Sequence, residues 1–308
     1  MTALARSNNT IYARFMGPWG RYVVIGVPMV FLLLVFLLPF LVVFKISVSE
    51  METVYFKDLL SVKDDLVVLA FKYGNYISLT HDALYFKAYL SSIKIAAITT
   101  AICLAIAYPF AYFLARSPAE RRPALLMLVM LPFWTSFLLR VYAWKMLLAD
   151  AGVFNNVAIA LGLASEPLKM MNTPFSLVVG MVYTYVPFMI LPLYANLVKM
   201  DLRLLEAALD LGATPWQAFW RITVPLSKSG IIAGSMLVFI PCVGEFVIPE
   251  LLGGPETLMI GHVLWDEFFG NNDWPMAASV AVVMVGLIII PLALFNKYQA
   301  ESTSAAKS

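Results

Sequence analysis

The stretch EAALDLGATPWQAFWRITVP, residues 206–225, lies in a polar segment from Lys199 to Ser229 that separates two apolar runs of membrane-crossing length. Its spacing predicts two short helices. Leu204, Leu205, Ala208 and Leu211 recur at helical intervals, and Gly212 follows as a stop. Thr214-Pro215 reads as an N-cap with proline in the first turn, opening a second helix through Trp216, Phe219 and Trp220. The product is an apolar, aromatic ridge beside Glu206 and Asp210. Such a ridge suits a cleft on another protein, because aromatic anchors in pockets carry much of an interface's energy. The other reading is an amphipathic hairpin lying on the inner leaflet.

Working outward from this segment, charge-poor runs long enough to cross the hydrocarbon core, about 20 residues, occur six times. They are Tyr22 to Phe44, Ala88 to Ala115, Pro123 to Leu148 with Arg140 and Lys145 inside it, Pro174 to Val198, Gly230 to Leu252 with Glu245 and Glu250, and Met276 to Phe295. Of the 308 residues, 61% are hydrophobic and 13% charged, half the charged share of about 25% in a soluble domain. The expected fold is therefore all-α, a polytopic membrane protein with about six transmembrane helices. Residues 1–21 are read as a cytoplasmic N-terminal segment, 22–298 as one membrane domain and 299–308 as a short, disordered cytoplasmic tail. Within the membrane domain, 45–87 forms a mixed-charge external segment with Tyr73, Tyr76, Tyr85 and Tyr89, and 199–229 forms a cytoplasmic loop.

Orientation follows from the basic residues. Arg6, Arg14 and Arg21 precede the first run, Arg116, Arg121 and Arg122 follow the second, and Lys199, Arg203, Arg221 and Lys228 fall in the polar segment. Lys297 and Lys307 close the same side. The opposite side holds Lys45, Lys57, Lys63, Lys72, Lys87 and Lys169, and none between 253 and 275. The positive-inside rule thus puts both termini, and Glu206, in the cytoplasm. No small-residue cleavage site follows the first run, so it is expected to be a retained span rather than a signal peptide.

The segment also carries a spaced pattern. Glu206-Ala207-Ala208, three residues, Gly212, nine residues, then Ile222 and Pro225 resemble the E-A-A loop of bacterial ATP-binding-cassette (ABC) importer permeases, with Val224 where that pattern has leucine. The resemblance extends through 131-LPFWTS-136, 140-RVYAW-144, 244-GEFVIPELLGG-254, 264-LWDEFF-269 and 273-DWP-275, which look like the first permease of putrescine and spermidine importers. It implies a type I ABC importer permease fold in a bacterial inner membrane. It also implies a second permease subunit, a dimer of ATPase subunits docking on the Glu206 loop, and a periplasmic polyamine-binding protein. Relatives carrying iron, opines or amino-acid-like solutes share the loop, and a secondary transporter acting alone is the alternative from another class.

A polyamine crossing lipid needs carboxylates and π faces in place of water. Glu245 is the expected acidic group, since a carboxylate at membrane depth costs at least about 2.5–3.5 kcal/mol and should face a cavity or a partner. Pro241, Glu245 and Pro249 at i, i+4, i+8 would share one helix face, with the prolines able to break the helix around a site. Trp134, Tyr183 and Tyr185 are candidates for cation–π contact, against belt or core packing for each. The competing role for Glu245 is an ion pair with Arg140 or Lys145. Glu256, Asp266, Glu267 and Asp273 give an acidic loop that would attract a dication or receive the binding protein.

Other chemistries find no support in the residue pattern. There is no G-x-x-x-x-G-K-[ST] phosphate loop, so ATP hydrolysis is expected in a partner and no cofactor in this chain. His81 and His262 make no zinc pattern, no metal site is expected, and no G-x-S-x-G turn occurs. Net charge of +2 with scattered basic residues argues against nucleic acid.

Overall fold

A computed structural model describes residues 18–49, 51–52, 55–56, 60–63, 66–69 and 73–305. Arg6, Arg14, Lys57, Lys72 and Lys307 lie outside these residues. The chain divides into two compact units, Met1–Asn75 with Asp273–Val282, and Tyr76–Asn272 with Val283–Ser308.

In the first unit, α1 (Pro18–Leu32) continues through a π-helical turn, Leu33–Leu37, into α2 (Leu38–Ser47). The Tyr22–Ser47 stretch is apolar on every side, and no part of its apolar window is buried by the rest of the chain. A helix hydrophobic all round belongs in lipid or against another apolar surface. Two antiparallel pairs follow: β1 (Met51–Glu52) with β2 (Tyr55–Phe56), and β3 (Leu60–Lys63) with β4 (Leu66–Leu69). Here a mainly helical chain forms short hairpins, which the charge pattern of 45–87 did not announce. The carbonyl of Ser47 accepts from Asn75 Nδ2 at 3.3 Å and Ser279 Oγ at 3.0 Å, fastening the end of α2 to residues of its own unit.

The second unit opens with α3 (Gly74–His81, whose last residues belong here) and α4 (Ala83–Arg116), capped by Asp82, whose Oδ1 accepts from Leu84 N. Then come α5 (Arg122–Met130), a 3-10 turn Leu131–Trp134, α6 (Phe137–Leu148), α7 (Val153–Ala160) and α8 (Pro174–Leu197). The loop carries α9 (Arg203–Asp210) and α10 (Pro215–Ala218). Beyond it lie α11 (Lys228–Val243), α12 (Val247–Leu252) and α13 (Ile260–Trp265). The last helix, α14 (Trp274–Ala305), passes through both units. The core lies where α4, α8 and α11 meet, with Met181, Met189, Leu193, Val238, Ile248 and Leu252 fully enclosed. Thr173 and Ser176 form a capping box at the start of α8, and Ser176 Oγ also donates to the Leu252 carbonyl at 2.7 Å, pinning the end of α12.

Among the described residues three helices are long and apolar enough to cross a membrane, Tyr22–Ser47, Ala83–Arg116 and Pro174–Leu197, and two bent pairs raise the count to five. The apolar part of α14, Trp274–Ile290, falls in a shorter class. Two expected spans prove discontinuous. The Pro123–Leu148 run bends by 84° between Trp134 and Phe137, after Pro132. The Gly230–Leu252 run ends as a helix at Val243 and resumes at Val247, so Pro241, Glu245 and Pro249 do not share one helix face. Glu245 lies in the break itself, and its carboxylate accepts from the first amide of the next helix, Val247 N. The expected disordered tail is also corrected: α14 is helical through Ala305, as Gln299, Ala300 and Glu301 are good helix formers.

Candidate functional site

The loop between α8 and α11 is built from local rules. Asp201 Oδ1 accepts from Arg203 N at 3.0 Å and opens α9. At the other end Gly212 takes φ +86°, Gly212 N donates to the Leu209 carbonyl at 2.9 Å and Ala213 N to that of Ala208 at 3.0 Å. This is a Schellman stop, for which glycine is the favoured residue. Thr214 and Gln217 then exchange backbone and side-chain hydrogen bonds as a capping box for α10. Nothing lies within 4 Å of where a Gly212 side chain would start, so Gly212→Val is resisted only by the backbone. The left-handed conformation costs it about 1–2 kcal/mol. We expect that variant to loosen the angle between α9 and α10, read as faster proteolysis within the loop and a several-fold loss of transport at normal expression.

The outer surface of this loop is apolar. Leu211 is 89% exposed and Trp216 69%, while Glu206, Ala207 and Pro225 are exposed and Ala208 and Ile222 half-buried. Its inner side is fixed to α4. Phe219 meets Tyr108 and Tyr112 edge-on, at 5.5 Å and 6.0 Å between ring centres. Tyr108 shares a 2.8 Å hydrogen bond with Ser227, and the Arg116 guanidinium lies over the Tyr112 ring at 5.1 Å. From Phe219 to Thr223 the helix widens into a π turn, and the arm Pro215–Leu226 meets Lys228–Val243 at 64°.

The second cluster surrounds the break at Gly244–Phe246. Glu245 is half-buried and both carboxylate oxygens are engaged: Oε2 accepts from the Tyr185 hydroxyl, and Oε1 accepts from Val247 N at 3.1 Å. Neither Arg140 nor Lys145 forms with it the ion pair that was the competing role. Arg140 instead lies over Phe133 at 5.0 Å and Phe137 at 6.0 Å. Tyr185, eleven residues into α8, stands about 16 Å along an ideal helix from its start, at 1.5 Å per residue. That places Glu245 well inside the span. The backbone of the break is held by Gly261, where an added Cβ would come within 2.5 Å of the Gly244 carbonyl oxygen and 2.6 Å of that of Glu245.

Of the three aromatics singled out in the sequence, only Tyr185 touches Glu245, and at 7% exposure it offers a hydroxyl rather than a ring face. Tyr183 points elsewhere, since residues two apart on a helix do not share a face. It packs against Trp144 and lines an apolar cavity of about 790 Å³ with Phe110, Val182 and Val186. Trp134 is 75% exposed on the 3-10 turn. The ring faces beside Glu245 come from residues the spacing did not mark. Phe246, next in sequence, stacks on Trp265 at 4.6 Å, and Trp265 meets Phe269 at a 40° tilt with centroids 4.2 Å apart. Their signal was the repeated aromatic spacing Trp265 to Phe269, at i and i+4.

Carboxylates line the same region. Glu250 meets His262 Nε2, and Asp266 Oδ2 lies 3.0 Å from His262 Nδ1 but off the hydrogen-bond direction. Glu267 accepts from the Tyr85 hydroxyl at 2.7 Å and from Asn271 at 2.9 Å. A cavity of about 290 Å³ opens between Asn172, Glu250, Gly254, Thr257 and His262. Among the described residues no group of three histidine, cysteine or acidic side chains is arranged to hold a metal.

Apolar helices, a broken span with a carboxylate inside it and an exposed helix–glycine–helix loop define a membrane transport permease. The chain belongs to the family of binding-protein-dependent transport system inner membrane components, whose profile matches residues 107–302. It is 42% identical to the spermidine/putrescine transport system permease protein PotB of Escherichia coli, over 74% of this chain and 84% of that one. The Haemophilus influenzae protein of the same name matches at 42% over 73% and 78%. The inner membrane ABC transporter permease protein YdcU of Escherichia coli is 34% identical over 68% and 70%. In fold the chain is similar to a chain of a bacterial ABC transporter that imports the polysaccharide alginate, with TM-score 0.64 and 16% identity over 94% of this chain and 99% of that one. For a bacterial alginate ABC transporter in complex with alginate pentasaccharide-bound periplasmic protein the TM-score is 0.67, at 16% identity over 92% and 95%.

Proposed function

We propose that this chain is one of two permease subunits of an ABC importer that carries polyamines, spermidine or putrescine, across the inner membrane. The observation that carries the substrate is the 42% identity to the PotB proteins over most of both chains. The broken span is consistent with it, because the stacked rings of Phe246 and Trp265 are each followed or preceded in sequence by a carboxylate, Glu245 and Asp266. Both termini lie in the cytoplasm, as the basic residues favour. On that side Glu206, Ala207, Ala208, Gly212, Ile222 and Pro225 belong to the surface that receives a separate ATPase dimer. A periplasmic polyamine-binding protein delivers substrate to the acidic loop on the opposite face.

Reconstitution tests the whole reading. Vesicles holding both permeases and the ATPase, supplied with loaded binding protein, should accumulate labelled putrescine or spermidine only when ATP is present inside the ATPase compartment. Accumulation without the ATPase subunit would remove the ABC assignment, and iron or opine uptake in place of polyamine would remove the substrate.

Coupling has its own test. Phe219 is the ring through which the loop leans on Tyr108 and Tyr112 of α4. Phe219→Ala deletes both contacts, so ATP-driven uptake should fall about tenfold while the ATPase still copurifies. An edge-on pair contributes about 0.5–1.5 kcal/mol beyond its buried area. Unchanged uptake would show that motion reaches the spans by another route.

A further inference from the structure

We propose that Arg140 is the anchor of an interface with the second permease, where it receives a carboxylate from that subunit within the membrane. This rests on the reading that two permeases work side by side. The guanidinium is stacked over Phe133 and Phe137, and its Nε and Nη1 are enclosed without any hydrogen-bond partner. Nη2 is not enclosed and makes no hydrogen bond either. A cation in a span with none of its donors satisfied is costly, and such residues pair with another group or face a water-filled cavity. Glu245, in the break between α11 and α12, is held by Tyr185 and Val247 and forms no ion pair with Arg140. Among the described residues no side chain supplies Arg140 an acceptor, which leaves a carboxylate from outside the chain.

Depth selects the kind of acceptor. Phe133 packs edge-on against Phe188 at 5.1 Å, and Phe188 stands fourteen residues from the start of α8 and nine from its end. At 1.5 Å per residue those are about 21 Å and 14 Å. Through these two ring contacts Arg140 lies within the span, away from both ends of α8 and inside a hydrocarbon core of about 30 Å. A lipid phosphate is out of reach of a side chain already folded onto two rings. Around it α6 turns outward with Leu139 at 68% and Met146 at 74% exposure, an apolar surround suited to another helix. Arginine suits this role because its planar fork can keep one face on an aromatic ring while an edge nitrogen donates to a carboxylate.

The test is co-expression of the tagged full-length chain with the ATPase and the second permease, measuring how much second permease each tagged chain retains after detergent extraction. Arg140→Met and Arg140→Glu should lower retention about tenfold or more, the loss expected when one partner of a buried charge pair is removed. Arg140→Lys should be intermediate. The amount of tagged chain in the membrane fraction should stay unchanged, and Arg140→Met, which only removes charge, decides if Arg140→Glu fails to insert. Retention by Arg140→Glu should return when a single Asp or Glu in a span of the second permease is changed to Arg. Retention at the wild-type level in both variants overturns the proposal, as does rescue by anionic phospholipid alone. A wild-type chain that captures no second permease would instead sink the two-permease reading.

Discussion

Glu245→Gln should cut polyamine uptake by about tenfold to a hundredfold while leaving assembly and membrane levels as they are. The substitution keeps size and lets Tyr185 still donate to a carbonyl oxygen, so the charge is lost together with one accepted bond, the one from Val247 N. A hydrogen bond to a charged group contributes about 1.5–3 kcal/mol, and each 1.4 kcal/mol is a factor of ten. Tyr185→Phe should fall between the two, because the carboxylate keeps its charge but loses the hydroxyl that aims it. Uptake of labelled putrescine by Glu245→Gln at the wild-type rate would remove Glu245 from the pathway. Glu245 would then be a cap for α12 and nothing more.

Gly261→Ala is expected to be among the damaging single-methyl changes, and the one that falls on the break. Its Cβ would sit 2.5 and 2.6 Å from two carbonyl oxygens that belong to the break, and backbone cannot rotate aside as a flexible side chain can. Overpacking a closed site costs about 1–3 kcal/mol, and here the strain falls on the segment that orients Glu245. Thermal stability of the detergent-solubilised complex should drop by several degrees and uptake by tenfold or more. Gly286→Ala is the control, with open space where the methyl would go, and should behave as wild type. Equal behaviour of the two variants would show that the break is not held by Gly261.

The loop was legible from its residues because its geometry is local: Gly212 needs a left-handed backbone, and Thr214, Pro215 and Gln217 write a helix start within four positions. The spans were legible as apolar length but not as continuous helices. Nothing within Gly230–Leu252 distinguishes a kink from a full break, since the break depends on Gly261, seventeen residues further on, and on the carboxylate of Glu245 returning to Val247. The partner of Glu245 was missed for the same reason. Arg140 and Lys145 offered the obvious charge, whereas the structure uses a tyrosine hydroxyl from α8 that sequence distance hides. Aromatic candidates chosen one by one also scattered, because Tyr183 and Tyr185 point to different sides of α8.

The 64° elbow after Leu226 has a mechanical corollary. Two rigid rods joined at such an angle act as a bell crank: a thrust on the short rod cannot travel straight down the long one and must emerge as swing or twist. A partner gripping the ridge at Trp216 would therefore steer the direction in which Glu245 moves, more than how far it moves.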